Sequence, residues 1–425
     1  MRCKLFFALI GLLLMALPVQ SQDKAYVQKV VKKLAAPGMH GRGYVKNGDA
    51  RAANFLAKEM KKAGLHFFGE DYFQPYHFSV NSFPGKMEFS VDGNKLKAGS
   101  DFVVHPGTKT THQSFELVWL PDTITQLNSV YQLIDTTALE GKMLVVPEGL
   151  KTAYRHGIPG VPALMQTVEK AMWWHVSGSE KPDNKLMLKV KKSSLAAHAK
   201  SCEITVEAHF IEKHTTNNVI GFVPGSAVPD SFFVFVAHYD HLGKMGKNTT
   251  YPGASDNASG TATVLDLARY YSANPEKAYY SMVFILVSGE EAGLKGSYYF
   301  AENPLFLLEN IRFVINFDMV GTGSEGLSVV NGKMFPELSE ILISINNENQ
   351  YFGDVRLGGE SCNSDHCPFY KQGVPAFFLF TRGSENREYH TLTDTYEKLP
   401  FTKYESLFST ITDFVEASES AIFNR

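Results

Sequence analysis

From Asn218 onward, short apolar runs alternate with stretches of helical periodicity, and three successive runs stop on acidic residues or histidine. Phe232 to Ala237 is a continuous apolar run, as in a strand buried on both faces, and His238-Tyr239-Asp240-His241 follows it directly. Met282 to Val287 leads into Ser288-Gly289-Glu290-Glu291, and Ile311 to Phe317 ends on Asp318. Helices are expected over Ser259–Tyr271, Leu294–Phe300, Pro336–Asn346 and Lys403–Ile422, with a further buried strand over Ala376–Phe380. Strands that alternate with helices imply an α/β fold: a mixed, mostly parallel central sheet flanked by helices. Ligands in such sheets sit beyond the carboxyl ends of the strands. One rim should therefore carry His238, the Glu290-Glu291 pair and Asp318.

The rest of the chain reads differently. Ala53, Leu56, Ala57, Met60 and Ala63 share a helical face, with Gly64 as a stop. From about 85 to 211, runs such as Phe115–Leu120 and Lys142–Val146 between turn residues predict a separate strand-rich domain, inserted between 22–84 and 212–425. With 425 residues, 44% of them hydrophobic, the chain can bury more than one core. Its net charge of −3 comes from interspersed acids and bases. No basic stripe is present to neutralise a phosphate backbone, so nucleic acid is not an expected partner.

The N-terminus predicts export. Arg2 and Lys4 precede an apolar run from Leu5 to Leu17, and Val19 and Ser21 suit signal-peptidase cleavage, giving a signal peptide over 1–21. The run is short for a bilayer span, and no second stretch is long enough, so no membrane span is expected after its removal. The predicted location is periplasmic or secreted. Cys362 and Cys367 are close enough to form a disulfide in an oxidising compartment, or they are two buried thiols.

The segment Gly253 to Gly260 places Asp256 just before a helix, and Tyr389-His390-Thr391 comes later, shortly before Asp394. Taken singly, each residue has a plain structural role open to it. Asp256 or Ser259 can cap the following helix, Glu290-Glu291 can be a solvated acidic turn, and His238 can be a hydrogen-bonded core histidine. Their joint arrival at converging strand ends argues instead for a rim of carboxylates and imidazoles, the donor set that Zn²⁺ uses.

In Ala237–Asp240, Gly253–Gly260, Gly289–Glu291, Asn316–Asp318, Ser364–His366 and Tyr389–Thr391, in that order, the chain resembles metallopeptidase family 28, the di-zinc aminopeptidases and their glutamate-carboxypeptidase relatives. The resemblance covers roughly 24–84 and 212–425. The insert resembles, more weakly, a protease-associated domain. The resemblance implies two Zn²⁺ ions bridged by Asp256, one completed by His238 and Asp318, the other by Glu291 and His390. It implies that Glu290 is the general base toward a metal-bridging water, that Asp240 orients His238, and that Tyr389 helps to stabilise the oxyanion. It also implies a cis peptide at the Asp256-Asn257 junction. His366 is expected to support or pack beside the site, and His241 to lie at the surface.

The implied activity is that of a secreted zinc exopeptidase acting on a peptide substrate, an aminopeptidase in the first instance. In the loop 381–390, Glu385 and Glu388 offer partners for a substrate ammonium, and Arg382 and Arg387 for a terminal carboxylate. A carboxypeptidase therefore stays open, as do a single-zinc glutaminyl cyclase and an inactive binding protein on the same fold. The sequons at Asn248 and Asn257 are read as chance matches.

Overall fold

A computed structural model describes residues 22–423 apart from 171, 179–181, 183 and 184. The expected signal peptide lies outside the described residues. An eight-stranded sheet forms the larger core, in the spatial order Phe73–Ser82, His209–Val223, Tyr280–Val287, Val228–His238, Ile311–Phe317, Ala376–Arg382, Gly326–Val330 and Val355–Leu357. The middle of the sheet, from Tyr280–Val287 to Ala376–Arg382, is parallel, and the antiparallel pairings lie toward its edges. The expected α/β architecture is therefore found.

The apolar runs are continuous because the middle strands are covered on both faces. Phe233, Phe235 and Ala237 enter one core with Met282, Phe284 and Leu286. Phe232, Val234 and Val236 enter the core on the opposite face with Val283, Ile285 and Val287. This is the two-residue side-chain alternation of a strand, with both sets apolar. Burying one such side chain stabilises the fold by about 1.5–3 kcal/mol. The first core is closed by helices Lys24–Leu34, Gly48–Lys62, Gly260–Ala273, Pro336–Asn349 and Tyr404–Phe423. The second is closed through Phe300 and Phe369 on shorter helices.

A second eight-stranded sheet is built from strands between Met87 and Val206, in the order Asn94–Leu96, Met87–Val91, Ser201–Val206, Thr111–Trp119, Lys142–Val146, Ala163–Val168, Leu186–Lys191 and Phe102–Val104. It too is mixed: the pairings from Thr111–Trp119 to Leu186–Lys191 are parallel and the others antiparallel. The antiparallel pair Phe73–Ser82 and His209–Val223 carries the chain between the sheets. Leu242, Met245 and Tyr251, from the loop that follows His238, pack into the second sheet's core. The two cores thus meet beside the rim where the polar residues gather. Among the described residues no helix is long and apolar enough to cross a membrane.

Candidate metal centre

His238 is the last residue of its strand and is almost wholly buried. Its Nε2 stands 3.5 Å from Asp256 Oδ1 and 3.5 Å from Asp318 Oδ1. A second cluster shares Asp256 and adds Glu291 and His241. His241 Nδ1 is 2.8 Å from Glu291 Oε1 and 3.9 Å from Asp256 Oδ2. His390 Nε2 faces the same two carboxylates, at 3.0 Å from Asp256 Oδ2 and 3.2 Å from Glu291 Oε2. The structure therefore brings together His238, Asp256, Glu291, Asp318 and His390.

It also adds a residue that the sequence reading placed elsewhere. His241 is fully buried, not at the surface. The chain beyond His238 folds back under the 41–43 segment, with His241 N–H donating to Arg42 O and Gly243 N–H to Gly41 O, which turns the imidazole inward. The signal was present in His238-Tyr239-Asp240-His241, two imidazoles three positions apart after one strand end.

Several of these donors have nothing to bond. His238 Nε2, both ring nitrogens of His241, Glu291 Oε1 and Asp318 Oδ1 are buried without a hydrogen-bond partner. The close approach of His241 to Glu291 is not aligned as a hydrogen bond. An unsatisfied buried polar group costs about 1–3 kcal/mol, and such groups are otherwise rare in proteins. Five at one point, with three carboxylates sharing the space, make a pocket suited to cations. Mixed imidazole and carboxylate donors fit zinc.

Neighbouring Glu290 and Glu291 are driven in opposite directions. Burial pushes the Glu290 carboxyl well above the usual range, reinforced by Glu291, Asp365 and Asp318 and opposed by His238. Burial acts on Glu291 in the same sense, but His390 and His241 outweigh it and hold the carboxylate well below that range. One of the pair is thus held as an anion, while the other is disposed to carry a proton. A ligand beside an acid–base group needs that division.

Asp240 fixes this turn. Its carboxylate accepts hydrogen bonds from Tyr44 Oη at 2.6 Å, Glu290 N–H at 3.2 Å and Glu291 N–H at 3.3 Å. The expected bond to His238 is absent: Nδ1 is 3.7 Å from Asp240 Oδ1 and has the Asp240 main-chain carbonyl at 3.3 Å. Burial raises Asp240 to about 6. Its hydrogen bonds set the glutamates rather than the imidazole.

The loop that carries Asp256 is held from two sides. Asp394 is buried and accepts the N–H groups of Ser255 at 2.8 Å and Asp256 at 3.0 Å. Arg42 is also buried and donates to the carbonyls of Leu34, Tyr239, Pro252, Gly253 and Asp256. The Asp256-Asn257 peptide is cis. Neither Asp256 nor Ser259 caps a helix with its side chain; Ser259 Oγ donates to Ser255 O instead. Asn257 is buried and bonded to Phe317 O, so its sequon is not available for modification.

In Ser364-Asp365-His366, Ser364 donates to Asp318 Oδ2 at 3.1 Å and accepts from Asn316 Nδ2 at 2.7 Å, and buried Asp365 bonds Ser297 near enough to act on Glu290. His366 is buried with Nε2 on Ser361 O at 2.8 Å. Cys362 and Cys367 are disulfide-bonded around this motif, and Cys202 is free and buried. Tyr389 stacks on His390, ring centroids 3.9 Å apart.

The charged side chains of loop 381–390 are mostly committed. Glu388 bonds Lys398, Thr391 and Thr393, Glu385 bonds Ser324, and Arg382 pairs with Asp354. Composition alone could not reveal that these groups already had partners.

Residues 218–415 match the sequence profile described as Peptidase family M28. The chain is 29% identical over 223 residues to Aminopeptidase YwaD of Bacillus subtilis, covering 49% of this chain and 46% of that one. It is 37% identical over 114 residues to a protein of Pyricularia oryzae described as a probable zinc metalloprotease, covering 26% of this chain and 22% of that one. The match therefore spans under half the length of these curated relatives. The crystal structure of a zinc aminopeptidase from Bacillus subtilis superimposes with a TM-score of 0.69 at 20% identity, over 93% of this chain and 95% of the other. At that identity the likeness concerns the fold.

Proposed function

Because residues 218–415 match the profile of peptidase family M28, we propose that the chain is a member of that family and an exported aminopeptidase that works with two zinc ions. The observation that carries this reading is the group of buried donor atoms without partners on His238, His241, Glu291 and Asp318, with Asp256 shared between the two clusters. In this reading one ion would be held by His238, Asp256 and Asp318. The other would be held by Asp256, Glu291 and His390, with His241 as a further donor. When bound, such a pair acidifies water and polarises the scissile carbonyl.

The protein's own groups do the rest. Glu290, beside the donors and with its affinity for a proton raised by burial, takes a proton from water as a carboxylate and delivers it to the leaving amine. Asp240 keeps that carboxyl in place by bonding both N–H groups of the turn. Ser364 steadies Asp318, and Asp394 steadies the Asp256 backbone. In this reading Tyr389, whose ring stacks on His390, supports the developing oxyanion. The preference for the amino end draws on the aminopeptidase names of similar proteins. The 85–211 region is assigned as an inserted, protease-associated-like domain, and segment 1–21 as a signal peptide.

The test combines metal content with hydrolysis of free-N-terminal and N-blocked peptides by wild type and Glu290→Gln. Two zinc ions in both proteins, cleavage confined to free N-termini and a large loss in the variant are expected. Cleavage only from the carboxyl end would move the assignment to a carboxypeptidase. One zinc with cyclisation of N-terminal glutamine and no hydrolysis would overturn it.

A further inference from the structure

Residues 172–178 leave the second sheet and lie across the rim of the metal centre. Trp174 roots this strap: its Nε1–H donates to Val104 O at 3.0 Å, and its ring stacks on Tyr251 within the second core. Its backbone N–H crosses to the other region and donates to His390 O at 3.2 Å. Ser177 bridges to Asn81. Gly178 presses so close to the glutamate turn that a Cβ there would sit 2.1 Å from Ala292 O. Between these anchors, His175 Nδ1 stands 3.1 Å from His390 Nδ1, with the rings at 69°.

That contact has chemical content. His390 directs Nε2 at Asp256 and Glu291, so using that nitrogen as a metal donor leaves the ring proton on Nδ1. An Nδ1–H facing inward needs an acceptor, normally a carboxylate, a carbonyl or water, which fixes the tautomer and the ring. His238 finds that acceptor within its own turn, in the Asp240 carbonyl. Among the described residues, the partner of His390 Nδ1 is the His175 nitrogen, 215 positions away in sequence. His390 also sits at φ 51°, a left-handed conformation unusual for a residue with a Cβ. The strap holds it there through the Trp174 N–H bond.

We propose that His175 is a positioning residue of the metal centre: it accepts the Nδ1–H of His390 and so orients the Nε2 lone pair toward the second ion. The second-sheet region is then a working part of the site. This inference rests on the two-zinc reading given above.

The test uses the full-length protein and three variants, His175→Ala, His175→Gln and His175→Asn. Zinc is titrated against a chelating dye, and the cobalt-loaded proteins are compared by visible absorption. Wild type should show two binding steps. His175→Ala should weaken one step by about 10–100-fold, leave the other in place and change part of the cobalt spectrum. Gln or Asn, which can present an amide oxygen to Nδ1–H, should recover most of the loss. The metal-free variants should melt with wild type, which separates the effect from misfolding. Two wild-type binding steps and a wild-type cobalt spectrum in His175→Ala would overturn the inference and leave the two-zinc reading standing. So would amide variants as defective as Ala. A wild-type protein that takes up no second ion would overturn both.

Discussion

At the end of Val228–His238, a buried imidazole meets two carboxylates. In the second sheet, Lys142–Val146 and Ala163–Val168 end on the buried apolar Val146 and Val168, and the acids that follow, Glu148 and Glu169, face solvent. Both sheets contain a run of parallel strands, so both offer the crevice in which ligands commonly sit. At the second, Lys192 pairs with Asp122 and Glu169 through exposed side chains, whereas among the described residues both clusters able to hold a metal lie at the first. The topology provides a place for a site. Buried, unpaired donors turn that place into chemistry, and their desolvation cost is offset only if something binds them.

The sharpest way to break this contrast is Glu290→Gln, which removes the acid–base group without touching the second sheet. It should lower kcat by about 10²–10⁴-fold while the zinc content by elemental analysis stays constant. A variant that loses metal along with activity would mean that Glu290 is a ligand. The converse change, Leu144→Ala in the second sheet's core, leaves a cavity at a fully buried position. It should cost about 2–5 kcal/mol of unfolding free energy, read by denaturant titration, with zinc stoichiometry unchanged in the folded protein. Asp394→Asn weakens the hold on the Asp256 backbone and should reduce zinc affinity or activity by about 10–100-fold, measured by chelator competition. An unaltered affinity would show that Arg42 alone secures the loop.

The smallest effect concerns pH. Burial lowers the His366 imidazole to about 4, below the value of about 6.5 expected in the unfolded chain. The unfolded state therefore takes up a proton first. The stability that His366 contributes is complete above about pH 6.5 and is lost as pH falls toward 4. Thermal melts of the metal-free protein should drop by a few degrees across that window, and His366→Gln should flatten the drop. An unchanged slope in the variant would assign the acid sensitivity to other groups.

How much of this was legible in the sequence follows the same division. The central strands could be read because both of their faces are apolar, and the gathering of His238, Asp256, Glu291, Asp318 and His390 because they stand immediately after those strands or in short motifs. His241 was misplaced because a histidine beginning a loop is ordinarily solvated, and only the fold-back beneath Arg42 buries it. Asp240 lies at ion-pair distance from His238, but its position in the motif does not say that Tyr44 and two backbone amides take its hydrogen bonds. His175 gave no signal. It lies in a segment without periodicity, and its significance depends on a contact between regions far apart in the chain. The commitments of Glu385, Glu388 and Arg382 were likewise hidden, because pairing is a property of three-dimensional neighbours.

The Arg42 brace has a consequence for how the molecule comes into being. Its guanidinium joins an early segment to Tyr239 and Asp256, 197 and 214 positions later, and His390 is later still. Contacts of such separation are closed late in folding, because the entropy of closing the loop is lost before the contact rewards it. No fragment released early from a ribosome can assemble the donor cluster, and a chain cut between Arg42 and Asp256 loses the covalent tether that brings the brace to its loop. In the two-zinc reading, a chain that stops before His390 lacks part of the donor set that faces Asp256 and Glu291, so metal binding there requires nearly the whole sequence.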